Sequence, residues 1–162
     1  MATLHLICGL IASGKTTYAQ RLMAKNPALL LSVDEITLAL DGILPPDRHD
    51  AATCRIKQLL LAKAYEALAA GLDVIFDWGF WKKEERTAME AELRRRGTDH
   101  LWHYIDIPQE RLAAQIAKRN EAVLRGECSA YFVDEGLMEK CISLFDAPTC
   151  EEMDIRYIPP EE

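Results

Sequence analysis

The feature that most constrains this chain lies near its N-terminus, where the apolar run Leu4–Cys8 leads directly into residues 9–16, GLIASGKT. This octapeptide fits the pattern G-x-x-x-x-G-K-S/T completely. Its two glycines allow backbone angles and approach distances that a side chain would forbid, so successive N–H groups can converge on one anion. A helix predicted to begin at Lys15 adds its unsatisfied N–H groups and the positive end of its dipole.

Two side chains of this segment have the chemistry of nucleotide binding. Lys15 supplies a mobile positive charge for β- and γ-phosphates, and the hydroxyl of Thr16 is a ligand for Mg²⁺. A glycine-rich turn without a ligand is the alternative, but the order strand, motif, helix argues against it. We therefore predict that a nucleotide's phosphates contact Gly9, Ile11, Ala12, Ser13, Gly14, Lys15, Thr16 and Thr17.

Apolar β-rich runs alternate with amphipathic helical stretches along the chain, which indicates a parallel sheet with helices on its faces. The predicted fold class is α/β, a three-layer α/β/α sandwich with a mostly parallel five-stranded sheet. Strands are predicted at Leu4–Cys8, Leu29–Ser32, Asp73–Asp77, Leu101–Asp106 and Asp154–Ile158. Helices are predicted at Lys15–Ala24, Asp34–Leu40, Arg48–Ala70, Lys82–Arg96, Gln109–Leu124 and Asp134–Phe145.

Composition limits the classes of function. The 162 residues contain no linker-like tract, so we predict one domain over 1–162. A net charge of −7 argues against extended contact with nucleic acid, which is bound by neutralising its phosphates. No apolar stretch reaches the roughly 20 residues of a membrane span. Five cysteines form no C-x-x-C pair, which favours a reducing cytoplasm, and the oligomeric state stays open.

Asp34 lies just beyond the second predicted strand, which ends at Ser32, and only Val33 separates the two. Ligands of open α/β sheets bind beyond the carboxyl ends of the strands, so polar residues there are candidates for chemistry. We predict a catalytic role for Asp34. The alternative is that Ser32 or Asp34 caps the helix that begins near Glu35.

Asp77 closes the third predicted strand, after the apolar residues Val74-Ile75-Phe76. A carboxylate in this position is typical of a Walker B strand, where it reaches Mg²⁺ directly or through water. We predict Thr16 and Asp77 as the metal site. The alternative is that Asp77 begins a turn with Gly79.

Three aromatic residues, Trp78, Phe80 and Trp81, follow Asp77 closely. An acceptor with rings or apolar faces could stack on them, and packing of at least two of them in the core is the equal alternative. Farther along, Arg119 and Arg125 are candidates for cations above the phosphates, in a lid over approximately residues 119–133. The nearby Arg111 and Lys118 are as well explained by a solvated helix face.

These elements resemble the AAA-type P-loop kinases, which include the 5′-hydroxyl polynucleotide kinase domain, chloramphenicol phosphotransferase and zeta-toxin kinases. The resemblance covers nearly the whole chain and rests on the segments 6–17, Ser32-Val33-Asp34-Glu35, Val74–Asp77, Glu84-Glu85-Arg86 and Arg119. It implies that Asp34 is the general base on an acceptor hydroxyl. It also implies that Arg119, and with it Arg125, are lid arginines that contact the nucleotide.

The predicted function is Mg²⁺-dependent transfer of the γ-phosphoryl group of ATP to a hydroxyl of a small-molecule acceptor, with Lys15, Asp34 and Arg119 as catalytic residues. ATP is favoured over GTP because the sequence lacks an N-K-x-D motif and because of the resemblance. Two alternatives stay open. One is a 5′-hydroxyl nucleic-acid kinase, and the other is an ATP-binding switch or ATPase without an organic acceptor.

Overall fold

Five parallel strands form the central sheet of the computed structural model, which describes residues 1–160. In chain order the strands are β1 (Leu4–Gly9), β2 (Ala28–Ser32), β3 (Asp73–Gly79), β4 (His100–Ile105) and β5 (Ile155–Tyr157). Their spatial order is β2-β3-β1-β4-β5, and every neighbouring pair is parallel. The predicted α/β class is confirmed, and each predicted strand is present within two residues of its expected bounds.

Six α-helices connect these strands within the described residues. They are α1 (Lys15–Lys25), α2 (Val33–Ala39), α3 (His49–Ala69), α4 (Lys83–Arg96), α5 (Gln109–Leu124) and α6 (Glu135–Leu144). All predicted helix bounds agree with these to within one residue. Among residues 1–160, no helix combines the length and the apolar character that crossing a bilayer requires.

Two apolar clusters cover opposite faces of the sheet, which gives the three-layer architecture. The first packs the sheet against α3 and α4 and includes Leu4, Leu6, Phe76, Ala64 and Leu93. The second packs the other face against α1 and includes Ile7, Ile75, Ile105 and Ala19. Successive residues of a strand point to opposite faces, so a central parallel strand is apolar on both sides.

Trp78, Phe80 and Trp81 are packed against the protein rather than arranged as an open stacking surface. Phe80 is fully buried. Trp78 stacks on Phe76 with ring centroids 3.9 Å apart. Trp81 donates its indole N–H to the carbonyl oxygen of Gly9 at 3.0 Å. The structure therefore favours the core-packing alternative for Trp78 and Phe80, and it gives Trp81 a contact with the glycine-rich segment.

Arg86, which belongs to the sequence segments that carry the resemblance, is a buried structural residue. Its Nη1 donates to the carbonyl oxygens of Phe80 at 3.0 Å and Asp146 at 2.9 Å. Its Nε donates to Glu152 at 3.0 Å. A guanidinium group offers five N–H donors in a fixed plane, so one side chain can join several chain segments. Arg86 thereby connects the turn after β3 to the C-terminal part of the chain.

A chain of polar side chains interrupts the apolar layer beneath α1. His103 exposes only 1% of its surface. Its Nε2 lies 2.9 Å from Nδ1 of His5, and its Nδ1 lies 2.9 Å from the hydroxyl of Tyr18. Burial and the neighbouring His5 lower the pKa of His103 to about 4, against an opposing effect of Asp154. Burial also lowers the pKa of His5, with Asp73 opposing.

We expect the free energy of unfolding to fall by about 2 kcal/mol between about pH 7 and about pH 5 because of His103. Its pKa is about 4 in the folded protein and about 6.5 in an unfolded chain. Between those values the unfolded chain binds the proton and the folded protein does not, so stability is lost as the pH falls. Urea unfolding at both pH values measures the change, and His103→Gln should lose less. An equal loss in that variant would contradict the assignment.

Candidate active site

The glycine-rich segment turns sharply between β1 and α1. Ala12 and Gly14 have φ angles of 56° and 95°, so both adopt the left-handed backbone conformation. At Gly9, an added Cβ would lie 2.8 Å from Oγ of Ser13 and 2.9 Å from the carbonyl oxygen of Ile105. Only glycine fits there without moving the backbone. Left-handed residues within such a turn direct successive N–H groups toward one point, which is the geometry of an anion-binding concavity.

The remaining predicted phosphate contacts connect this turn to its surroundings. Ile11 and Ala12 pack against an apolar cluster that includes Leu112 and Ile116 of α5. Thr17 is exposed in the first turn of α1. The turn therefore packs directly on α5, the helix that also carries Arg119.

Lys15 is the first residue of α1, and its ammonium group donates to the carbonyl oxygen of Leu10 at 2.7 Å. Burial lowers the pKa of Lys15, while the carboxylates of Asp77 and Asp34 oppose that shift. The charge of Arg119 lowers the pKa of Lys15 as well. All three charged groups therefore act on the pKa of Lys15, so the structure places Lys15, Asp34, Asp77 and Arg119 at one site.

Thr16 and Asp77 contact each other directly beside the turn. The hydroxyl of Thr16 donates to Oδ2 of Asp77 at 2.7 Å. Asp77 is only 8% exposed, and β3 continues through Gly79, so Asp77 lies within the strand. Hydroxyl and carboxylate oxygens are the ligands that Mg²⁺ prefers, and Mg²⁺ completes its shell with water and phosphate oxygens. The pair therefore fits a magnesium ion held at the edge of the glycine-rich turn of residues 9–16.

Asp34 is the second residue of α2, directly beyond the end of β2. The helix is capped by Ser32, whose Oγ accepts from the N–H of Glu35 at 3.3 Å. The capping alternative therefore applies to Ser32, and the carboxyl group of Asp34 is not needed for it. Asp34 is exposed at the protein surface, where partial loss of solvation raises the pKa of its carboxyl group. The ammonium group of Lys15 opposes this shift, and Asp77 adds to it. A carboxyl group with a raised pKa in a cleft is a candidate general base.

Arg119 lies on α5, which extends to Leu124, so the first part of the predicted lid is helical. The buried Nε of Arg119 has no hydrogen-bond partner within residues 1–160. Its charge acts on the pKa of both Lys15 and Asp34. A guanidinium group with a spare buried donor beside the cradle is suited to an anionic ligand.

Arg125 stands apart from this group. It is the exposed C-terminal cap of α5, and its guanidinium group donates to Glu121 at 2.9 Å. It also lies 3.9 Å from a carboxylate oxygen of Glu127. The structure pairs Arg125 with acids of its own helix and the following loop, so its contact with a nucleotide stays a prediction.

Sequence patterns missed two sets of contacts, one between the lid and α2 and one within the lid. The hydroxyl of Tyr131 donates to Oγ1 of Thr37 at 2.7 Å, one turn after Asp34. The side-chain amide of Asn120 exchanges two hydrogen bonds with the backbone of Val133, at 2.7 and 2.9 Å. No motif marks these residues, and the only sequence signal is that Asn120 directly follows Arg119.

We expect Lys15→Ala to weaken binding of MgATP about 10- to 100-fold, because a hydrogen bond to a charged group contributes about 1.5–3 kcal/mol. Isothermal titration calorimetry measures the dissociation constant. Lys25→Ala removes an exposed lysine at the other end of α1 and should bind as the unmodified protein does. Unchanged binding by Lys15→Ala would contradict the assignment of the phosphate cradle.

Comparisons with known proteins agree with this geometry. A family model described as an AAA domain matches residues 4–146, whereas no curated protein matches the sequence. A protein described as a kinase from Chloroflexus aurantiacus is 19% identical with a TM-score of 0.72, over 98% of this chain and 84% of its own. The APS kinase of Mycobacterium tuberculosis, solved with AMPPNP and APS, is 18% identical with a TM-score of 0.63, over 99% and 90%.

A third similar structure is Kti12 of Chaetomium thermophilum in complex with ADP-AlF3. It is 17% identical with a TM-score of 0.64, over 96% of this chain and 88% of its own. These structural similarities concern the fold, while the family model covers most of the 162 residues. The glycine-rich turn, the Thr16–Asp77 pair and the parallel strand order agree with that match. The chain therefore belongs to the AAA domain family, and its fold is that of the P-loop kinases to which it is similar.

Proposed function

We propose that this chain is a phosphotransferase that moves the γ-phosphoryl group of ATP to a hydroxyl group of a small-molecule acceptor. The observation that carries the proposal is the position of Asp34 near Lys15. The ammonium group of Lys15 lowers the pKa of Asp34, and the carboxylate of Asp34 raises the pKa of Lys15. A nucleotide-dependent switch has no use for a base beside its phosphate cradle, whereas hydroxyl phosphorylation requires one. The similar structures described as kinases support the same general activity.

In the proposed reaction the acceptor hydroxyl approaches the γ-phosphorus from the side of Asp34. The bond between the acceptor oxygen and phosphorus forms as the bond between phosphorus and the leaving oxygen of ADP breaks. Asp34 accepts the hydroxyl proton. Lys15 and Arg119 stabilise the negative charge on the transferring group and on ADP. Holding the two reactants in line supplies much of the rate, and no covalent intermediate with the protein is needed.

Thr16 and Asp77 are the residues that we assign to Mg²⁺, because their oxygens already lie 2.7 Å apart beside the cradle. When bound there, the ion would offset charge on the β- and γ-phosphates. The buried position of Asp77 in β3 holds its carboxylate in place while the nucleotide exchanges.

A small acceptor is favoured over a nucleic-acid end by the net charge of −7. A nucleic-acid strand is bound mainly by neutralising its phosphates with Lys and Arg. The APS kinase relative, whose structure holds AMPPNP and APS together, is an example of two small molecules bound by this fold. The 5′-hydroxyl kinase and the switch or ATPase remain the outcomes that an experiment must separate.

We expect Asp34→Asn to lower phosphoryl transfer by about 10²-fold or more, the typical contribution of a positioned base. Its affinity for ATP should stay within about threefold of the unmodified protein, since the cradle is unchanged. Transfer is measured with γ-³²P-labelled ATP and binding by calorimetry. Glu35→Gln alters the neighbouring exposed acid on α2 and serves as the control. Full turnover in Asp34→Asn would remove the mechanism as written.

The acceptor class is tested by incubating the protein with MgATP and a panel of hydroxyl compounds. The panel contains sugars, sugar acids, chloramphenicol and a 5′-hydroxyl oligonucleotide, and the readout is a mass gain of one phosphate. We expect a small molecule to gain the phosphate at low enzyme concentration. Labelling of the oligonucleotide alone would overturn the small-acceptor assignment. Release of inorganic phosphate without any labelled acceptor would overturn the transferase proposal.

A further inference from the structure

The lid contacts the helix that carries the proposed base through a hydrogen bond between two hydroxyl groups. Tyr131, in the loop between α5 and α6, donates to Oγ1 of Thr37 at 2.7 Å. Thr37 is 3% exposed, and its own hydroxyl donates to the carbonyl oxygen of Asp34 at 3.2 Å. The Thr37 hydroxyl uses its one proton on the Asp34 carbonyl and accepts the proton of Tyr131. The hydrogen bonds therefore run from the lid, through Thr37, to the backbone of Asp34.

The lid is also fastened at its base, close to Tyr131. Val133 is 2% exposed, and its backbone N–H and carbonyl oxygen bond to the side-chain amide of Asn120 at 2.9 and 2.7 Å. Asn120 directly follows Arg119 on α5. These hydrogen bonds join the two ends of the loop, because Asn120 lies one residue after Arg119 and Val133 lies two residues after Tyr131. The loop that carries Tyr131 is therefore tied by hydrogen bonds to the part of α5 that carries Arg119.

Tyr131 contacts the other helix beside the base as well. Its ring lies edge-on to the ring of His49, the first residue of α3, with centroids 6.3 Å apart. The charge of His49 acts on the carboxyl group of Asp34, so His49 lies at the same cleft. One lid side chain thus contacts both α2, which carries Asp34, and the start of α3.

We infer that Tyr131 is a positioning residue that couples the Arg119-bearing lid to α2 and, through Thr37, orients Asp34 toward the acceptor hydroxyl. This inference rests on the phosphotransferase function proposed above. A base must be held closely in place, because a misplacement of about 1 Å by a change outside the reacting groups can lower the rate about 10²-fold. The contacts of Tyr131 are with Thr37 and His49, so we expect its effect to fall on the chemical step and not on binding of ATP.

The test uses Tyr131→Phe, Thr37→Val and the double variant with MgATP and the panel acceptor that the unmodified protein phosphorylates fastest. We expect Tyr131→Phe to lower kcat about tenfold with an unchanged KM for ATP, the signature of an interaction that serves the transition state. Thr37→Val should lower kcat by at least as much. The double variant should match Thr37→Val, because both changes break the same chain of hydrogen bonds.

Tyr157→Phe is the matched control. It removes a tyrosine hydroxyl that accepts from Arg21 at 2.7 Å on the exposed side of β5 and α1, away from Asp34. This variant should keep the kcat of the unmodified protein. An unchanged kcat in Tyr131→Phe, or effects of Tyr131→Phe and Thr37→Val that simply multiply, would overturn the inference.

Hydrogen exchange separates failure of this inference from failure of the proposed function. With MgATP bound, the backbone amides of α2 should exchange about tenfold faster in Tyr131→Phe than in the unmodified protein, because α2 has lost its contact with the lid. If no panel compound gains a phosphate, the transferase proposal fails, yet faster exchange would still support the coupling. Equal exchange in both proteins would overturn the coupling whatever the activity.

Discussion

The hydrogen bond between Thr16 and Asp77 joins the end of the glycine-rich turn to β3, and it depends on the parallel pairing of β1 with β3. Parallel strands bring their carboxyl ends to one edge of the sheet, where the chain leaves each strand and turns away. The register of this pair shifts between Ile7 and Cys8, so Asp77 lies opposite Ile7 and Gly79 lies opposite Cys8. The apolar faces of the sheet hold this arrangement, since both strands are buried on both sides.

The charges at this edge differ from those of the chain as a whole. The chain carries a net charge of −7, yet the site collects two cations, Lys15 and Arg119, beside the two acids Asp34 and Asp77. Charges interact more strongly where protein replaces water, so the charges of Asp77 and Arg119 act on the pKa of both Lys15 and Asp34. The burial that disfavours the charged form of Lys15 is opposed by both carboxylates. The site can therefore keep a lysine close to the turn while no phosphate is present.

Much of the fold and the central part of the site follow from local sequence chemistry. The glycine spacing in residues 9–16 requires a tight turn, and strand and helix periods on either side determine where it lies. Asp34 and Asp77 could be selected because each follows an apolar strand, and strand ends of a parallel sheet converge. Helix ends agreed to within one residue, because turn residues and the change from apolar to polar patterning are local signals.

The sequence by itself therefore determined the sheet, the glycine-rich turn and the acids at the edge of the sheet, whereas tertiary structure decided which partners the other side chains have. Only packing showed that Phe80 is core, that Trp81 bonds to the carbonyl oxygen of Gly9, and that Arg86 bonds to Glu152. The contact of Tyr131 with Thr37 joins residues 94 positions apart. Periodicity reports which face of an element is buried, but hydrogen-bond partners distant in sequence depend on how the elements are placed against one another.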